Sequence, residues 1–350
     1  MARAKPTAID LFSGCGGLTE GLRQSGFRVV GAIEKDLLAA KTYKANHNRV
    51  EVWIDDICDV TIAEMRRRLG LNRGELDLLA GCPPCQGFSS MRSLNGKLSV
   101  EDERNNLIYQ FLRFVRGLWP KTIMMENVPG LCDDRRYSHF LRELKHLGYD
   151  SVDEGIRNAQ FFGVPQRRRR LILMASRVGS VTAPEQDLEL RTVKEFIADL
   201  PKAGKSGDPA HDLPEHRSDK IKRLIAKIPR DGGSRSDLPR RQQLKCHKKC
   251  DGFYDVYGRM AWNEVSPTIT GGCFNPSKGR FLHPSQNRCI TMREAALLQS
   301  FPADYRFPDV SNKQDLALLI GNALPPEMIR RFGLKMKEAV AAGKGTRHRN

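Results

Sequence analysis

Residues 7–21 read TAIDLFSGCGGLTEG: a short apolar run closes on a glycine-rich turn and opens into a helix-like pattern. That junction decides the fold class. Gly14, Gly16 and Gly17 stand where the backbone must turn sharply and can approach a ligand closely. A second apolar run, FRVVGAIE (27–34), ends on Glu34, twenty residues beyond Gly14. A carboxylate there can accept hydrogen bonds from both hydroxyls of an adenosine ribose. Position 19 is Thr, so the spacing is not GxGxxG, and the pattern points to a nucleoside-type ligand more than to a dinucleotide. Asp56, after the next short apolar run, can hold an adenine amino group.

Outward from this point, apolar runs alternate with helix-like segments: LLAAKTYKAN, LDLLAG, then NNLIYQFLRFVRGLWP, KTIMMEN, a helix near 136–147 and RLILMAS. Such βαβ alternation predicts a parallel sheet of about six strands with helices on both faces. Leu107, Ile108, Phe111, Leu112, Val115 and Leu118 recur at helical spacing, the pattern of a packed core face. From about residue 179 the periodicity fades and Pro, Gly, Asp and basic residues thicken, which marks a domain boundary.

The chain carries a formal charge of +17 over 350 residues, and residues 201–250 hold 14 Lys and Arg against 6 Asp and Glu. Such a block attracts polyanions, nucleic acid first among them, and gains from counterion release; solvation of a loop-rich segment is the plainer alternative. No apolar run reaches the roughly 18 residues that span a bilayer, and MARAKPTAIDLF lacks a signal-peptide stretch, so a soluble, cytosolic protein is expected. Nine cysteines without an export signal fit free thiols better than a disulfide framework.

LDLLAGCPPCQGFSS (76–90) follows a strand, so Cys85 should lie beside the nucleoside pocket, at the carboxyl end of the sheet. The Cys82–Cys85 spacing also suits a redox pair, or half of a zinc site completed by Cys246, His247 and Cys250 with His211 and His216 nearby. Glu126 and Asn127 close one strand, and Gln166 with four arginines opens another. A buried carboxyl near a thiol and guanidinium groups can act as acid, base or anchor, and arginine favours a thiolate.

In this order, DLFSGCGG, EKD, GCPPCQGFS, ENVPGL, QRRRR, REAALLQSFP and GNALPP resemble the cytosine-5 DNA methyltransferase family. The match covers nearly the whole chain; only the basic stretch between LILMAS and SPTIT falls outside it. The resemblance implies an α/β fold, a Rossmann-like class I methyltransferase sheet with a smaller, loop-rich target-recognition domain inserted. On that basis residues 1–178 and 287–345 form the catalytic domain, 179–286 the DNA-binding domain, and 346–350 a disordered tail. It implies Cys85 as nucleophile with Cys82 a spectator, Glu126 at the target base, Arg168 orienting Glu126, and Arg170 holding the base carbonyl. S-adenosylmethionine is the implied cofactor, contacted by Phe12, Gly14, Gly16, Gly17, Glu34, Asp56, Ile57, Pro84, Leu107 and Asn322. Gln86 and Ser89 are implied DNA contacts, in a loop (86–103) that covers the DNA. No metal is implied. The expected partner is double-stranded DNA, bound by a monomer, with a cognate restriction endonuclease as a further partner. Arg293 and Glu294 are expected to be structural. Lys35 departs from the pattern, since many relatives place a larger apolar residue after the acid. The rivals are an RNA cytosine-5 methyltransferase on the same scaffold, a nicotinamide-dependent oxidoreductase, and a non-catalytic DNA-binding module.

Overall fold

A computed structural model describes residues 4–84, 106–244, 255–308 and 311–346. The expected lid 86–103, Cys85, Gln86, Ser89, Cys246, His247, Cys250 and residues 347–350 of the expected tail lie outside them. Among the described residues no helix is long and apolar enough to cross a membrane.

The chain divides into two units, the first made of residues 1–158, 169–186 and 326–350 and the second of 159–168 and 187–325. In the first unit the elements run β1 (Thr7–Leu11), α1 (Gly17–Gln24), β2 (Arg28–Ile33), α2 (Leu37–Asn46), β3 (Glu51–Trp53), α3 (Ile62–Leu69), β4 (Leu78–Gly81), α4 (Leu107–Leu118), β5 (Thr122–Asn127), α5 (Arg135–His146), β6 (Ser151–Asn158) and β7 (Arg169–Ser176), with the C-terminal helix Pro326–Thr346. Helices α2 and α3 start where short polar side chains satisfy free amides: Asp36 accepts from Ala39 N and Thr61 from Glu64 N.

The strands form one sheet in the order β3-β2-β1-β4-β5-β7-β6. β1 to β5 pair in parallel, and β7 runs antiparallel to both neighbours. All six residues of β5 are buried, as expected of a central strand covered on both faces. The core gathers Ile9, Leu11, Ile123, Met125, Leu171 and Leu173 from the sheet, with Phe111, Phe114, Phe140 and Leu144 from the helices. α4 buries the predicted stripe and adds Phe114, while Leu107 is only partly covered.

Seven strands replace the expected six. β6 escaped the periodicity reading because it is an edge strand that turns its apolar Val152 and Ile156 outward, more than 40% exposed, and its Asp153 and Arg157 inward. Connections reverse direction between β1 and β4, which makes their carboxyl ends the crevice where open α/β sheets hold ligands.

The second unit is loop-rich, with short helices α6 (Val193–Ile197), α7 (Pro209–Asp212), α8 (Asp219–Lys227), α9 (Met292–Leu298) and α10 (Lys313–Asn322). Part of its interior is Leu224, Ile225, Ile228, Leu238, Tyr257, Leu282 and Cys289. Fully buried Arg259 ties this region together, its guanidinium donating to the carbonyls of Ile225, Ile228, His283 and Gln286 and to Asn287 Oδ1.

The boundaries differ from those expected at 179 and 287. Residues 287–325 belong with the second unit because α9 is anchored there: Arg293 pairs with Asp208, and Arg288 pairs with Glu294 of the α9 capping box. These contacts fit the structural role expected for Arg293 and Glu294. The first crossing between units comes early, as the ten-residue excursion 159–168 between β6 and β7.

Candidate active site

The turn after β1 begins at Phe12, whose φ of 61° is left-handed for a non-glycine residue. Gly14 (φ 55°) and Gly16 (φ 98°) continue it, and Gly16 is the N-cap of α1. A side chain in either position would be strained, so the turn requires glycine. Space is open at Gly14: a Cβ built there meets no atom within 4 Å. Glu34 holds this turn, since its Oε2 accepts from Gly14 N at 2.8 Å and its Oε1 from Asp36 N at 2.8 Å. Burial raises the Glu34 pKa, opposed by those two backbone hydrogen bonds. Each oxygen keeps a lone pair for a ligand hydroxyl.

Beneath the turn, Thr19 Oγ1 donates to Asp10 Oδ2 at 2.7 Å and lies 2.8 Å from the Tyr43 hydroxyl. Asp10 is fully buried, and its Oδ1 has no hydrogen-bond partner among the described residues. Burial pushes its carboxyl up to about 7.

Asp56 follows β3. Its Oδ1 accepts from Cys58 N at 3.0 Å and its Oδ2 lies 3.1 Å from Lys35 Nζ; the Cys58 hydrogen bond is the main cause of its lowered pKa. Ile57 is buried, and α4 fixes this loop through Arg113, which donates to the carbonyls of Ile57 and Val60.

Across the switch point, β4 ends with Gly81, and Cys82 N donates to Leu11 O of β1 at 3.2 Å. A side chain at Gly81 would meet that same carbonyl, so the two strand ends approach closely only with glycine there. The Pro83–Pro84 turn is fixed by Asn127, whose Nδ2 donates to Pro83 O at 2.9 Å while its Oδ1 accepts from Val128 N at 2.8 Å. Pro84 itself is exposed. The sequence signal for this role of Asn127 is a polar amide at the end of a wholly buried strand, because such groups must be bonded.

Glu126 is 8% exposed, and its Oε1 lies 2.8 Å from Arg170 Nε. The Cys82 thiol lies within the field of the Glu126 carboxylate. Burial, then the Glu126 charge, pushes the Cys82 pKa well above the ordinary thiol range, so Cys82 stays protonated.

Arg170, expected at the base carbonyl, is paired with Glu126. Arg168, expected to orient Glu126, belongs to the second unit, where it is 2% exposed and donates to the carbonyls of Ile269 and Gly321, each at 3.1 Å. Gln166 acts beside it, receiving Ile269 N and donating to Gln299 and Leu298 O. Asn322 is exposed at the end of α10 in the same unit. His211 of the alternative zinc set uses both ring nitrogens, on Thr291 Oγ1 and Pro201 O. The structure therefore groups Phe12, the glycines, Glu34, Asp56, Ile57, Pro84, Leu107, Glu126 and Arg170 in one unit, and Arg168 and Asn322 in the other.

A family model described as C-5 cytosine-specific DNA methylase matches residues 7–338. The chain belongs to this family. This methylase is similar to the type II methylase M.HgiDII of Herpetosiphon aurantiacus, 36% identical over 94% of each chain. It is 32% identical to the type II methyltransferase M.XorII of Xanthomonas oryzae pv. oryzae over 96% of its own length and 85% of the relative's. In fold it resembles a solved DNA modification methyltransferase encoded within an E. coli prophage, with a TM-score of 0.72 at 23% identity, covering 96% and 99% of the two chains. The fold class expected from the sequence is the one found.

The methylase transfers a methyl group to C5 of cytosine in DNA, and its donor is S-adenosylmethionine. The residues present fit that donor. The Gly14 turn offers open space, and Glu34 offers acceptor capacity for hydroxyls.

Proposed function

We propose that this methylase acts on a cytosine flipped out of duplex DNA, through a transient covalent bond from Cys85 to C6 of the ring. The observation that carries the reading is the Glu126–Arg170 pair at the end of β5, beside a Pro83–Pro84 turn that Asn127 fixes immediately before Cys85. Bound S-adenosylmethionine supplies an electrophilic methyl group on a sulfonium centre. C5 of cytosine is a weak nucleophile, so attack by the Cys85 thiolate on C6 is needed to move an electron pair onto C5. Glu126, held by Arg170, hydrogen-bonds N3 and the exocyclic amine and withdraws the developing charge. Once C5 is methylated, loss of its proton returns the electron pair to the ring and breaks the Sγ–C6 bond. A stacked base cannot reach these groups, and flipping costs about a few kcal/mol.

Glu34 is assigned to the ribose, Asp56 and Ile57 to the adenine, and Phe12, the glycine turn, Pro84, Leu107 and Asn322 to the rest of the donor. Arg168 braces the second unit, which reads the target from the major groove while its basic residues fix phosphates. Gln86 and Ser89 contact the DNA near the vacated space. The type II relatives support a modification enzyme paired with a restriction endonuclease, and the protein is assigned as a monomer of the bacterial cytosol.

Duplex DNA carrying 5-fluorocytosine at the target tests this, because fluorine cannot leave as the C5 proton does. A denaturation-resistant complex is expected with the wild type and none with Cys85→Ser. Failure to trap the wild type, or near-normal methylation by Cys85→Ser, would overturn the reading.

A further inference from the structure

Lys35 and Asp56 follow β2 and β3, whose last residues Ile33 and Trp53 are paired in the sheet. Their side chains meet across the two loops at 3.1 Å, beside Glu34. A ligand whose ribose is held by Glu34 at the end of β2 extends its base between those loops, and the ion pair spans that place. Lys35 is 65% exposed and Asp56 37%, so the pair is only weakly stabilising and opens readily. Asp56 Oδ1 is already engaged by the Cys58 amide, which leaves Oδ2, the oxygen on Lys35, as the acceptor facing an incoming donor.

We propose that Lys35 is a specificity-determining gate at the nucleobase end of the donor site: its ammonium occupies Asp56 in the free protein and is exchanged for the adenine amino group on binding. This rests on the assignment of Glu34 and Asp56 to the nucleoside. The gate keeps the Asp56 charge compensated in the empty site. It also lowers the advantage of an amino over an oxo group at the purine 6-position, because the ammonium that blocks an amine can donate to an oxygen. Lys35 thus sets how strongly the enzyme selects adenine.

Equilibrium binding of S-adenosylhomocysteine, whose net charge is zero, tests the exchange without the sulfonium. Lys35→Met keeps the apolar stem and removes the competitor. Its Kd is expected to fall about three- to fivefold below wild type at low salt, within the range of an exposed ion pair. Added salt screens the pair, so the wild-type Kd should approach that of the variant as salt rises. Preference for S-adenosyl- over S-inosylhomocysteine should widen by a similar factor in Lys35→Met. Equal affinities for wild type and Lys35→Met at low salt, with an unchanged preference, would refute the exchange. Glu34→Ala serves as control: about tenfold or greater weakening upholds the nucleoside assignment whatever Lys35→Met does, and unaltered binding sinks that assignment and the gate with it.

Discussion

Arg170 Nε lies 2.8 Å from Glu126 Oε1, joining the start of β7 to the end of β5 inside the sheet. A carboxylate 8% exposed needs such a partner, and the pairing fixes the direction in which its other oxygen points. Arg170→Ala should lower kcat by about 10²–10³-fold with little change in donor Kd, because the interaction acts on charge that develops during reaction. Arg170→Lys should be intermediate, since a point charge replaces a planar fork. Single-turnover methylation with separate donor titration decides this; an unchanged kcat in Arg170→Ala would show that Glu126 is held by other means.

Asn127 closes β5 and Cys82 follows β4. Asn127→Ala frees the Pro83 carbonyl and should slow covalent trapping by 5-fluorocytosine DNA about tenfold or more, while S-adenosylhomocysteine binds normally. Cys82 stays protonated beside the Glu126 charge, so its thiol can donate to it: Cys82→Ser keeps that capacity and should keep most activity, whereas Cys82→Ala should lose several-fold in kcat. Equal rates for the Ser and Ala variants would show that a donor at this position has no part in catalysis.

Asp10 predicts a pH effect. Its carboxyl titrates at 3.8 when unperturbed and at about 7 in the fold, so the native state binds the extra proton between those values. Stability from this group therefore falls as pH rises from about 4 to 7, by at most ~4 kcal/mol, and stays low above that. Urea unfolding at pH 5 and pH 8 should show the wild type losing stability relative to Asp10→Asn. Parallel behaviour of the two proteins would show that Asp10 ionises freely.

Arg259 tests whether the units are separable. Its guanidinium serves four carbonyls and one side-chain oxygen, so Arg259→Met leaves those acceptors unsatisfied and should destabilise the second unit by about 3–5 kcal/mol. DNA binding should be lost while S-adenosylhomocysteine still binds. Loss of both activities together would show that the units unfold as one.

The sheet was legible wherever burial wrote a continuous apolar run, as in TIMMEN, and illegible in SVDEGIRN, where the apolar residues face solvent. The donor and the family were legible because seven motifs stand in order. The pairing of Glu126 with Arg170, and not Arg168, was not. Residues two apart share a face of any extended segment, and only the passage from one unit to the other at residue 169 separates them. The supporting contacts of Asn127 and Arg113 depend on segments brought together from distant sequence, which no local pattern records.

The excursion of residues 159–168 bears on any attempt to exchange sequence specificity between methylases. Transplanting residues 187–325 alone would leave the graft without Gln166 and Arg168, whose side chains its interior was built around. A chimaera must carry two discontinuous pieces, spliced on either side of β7, for the transplanted half to retain its own keystone.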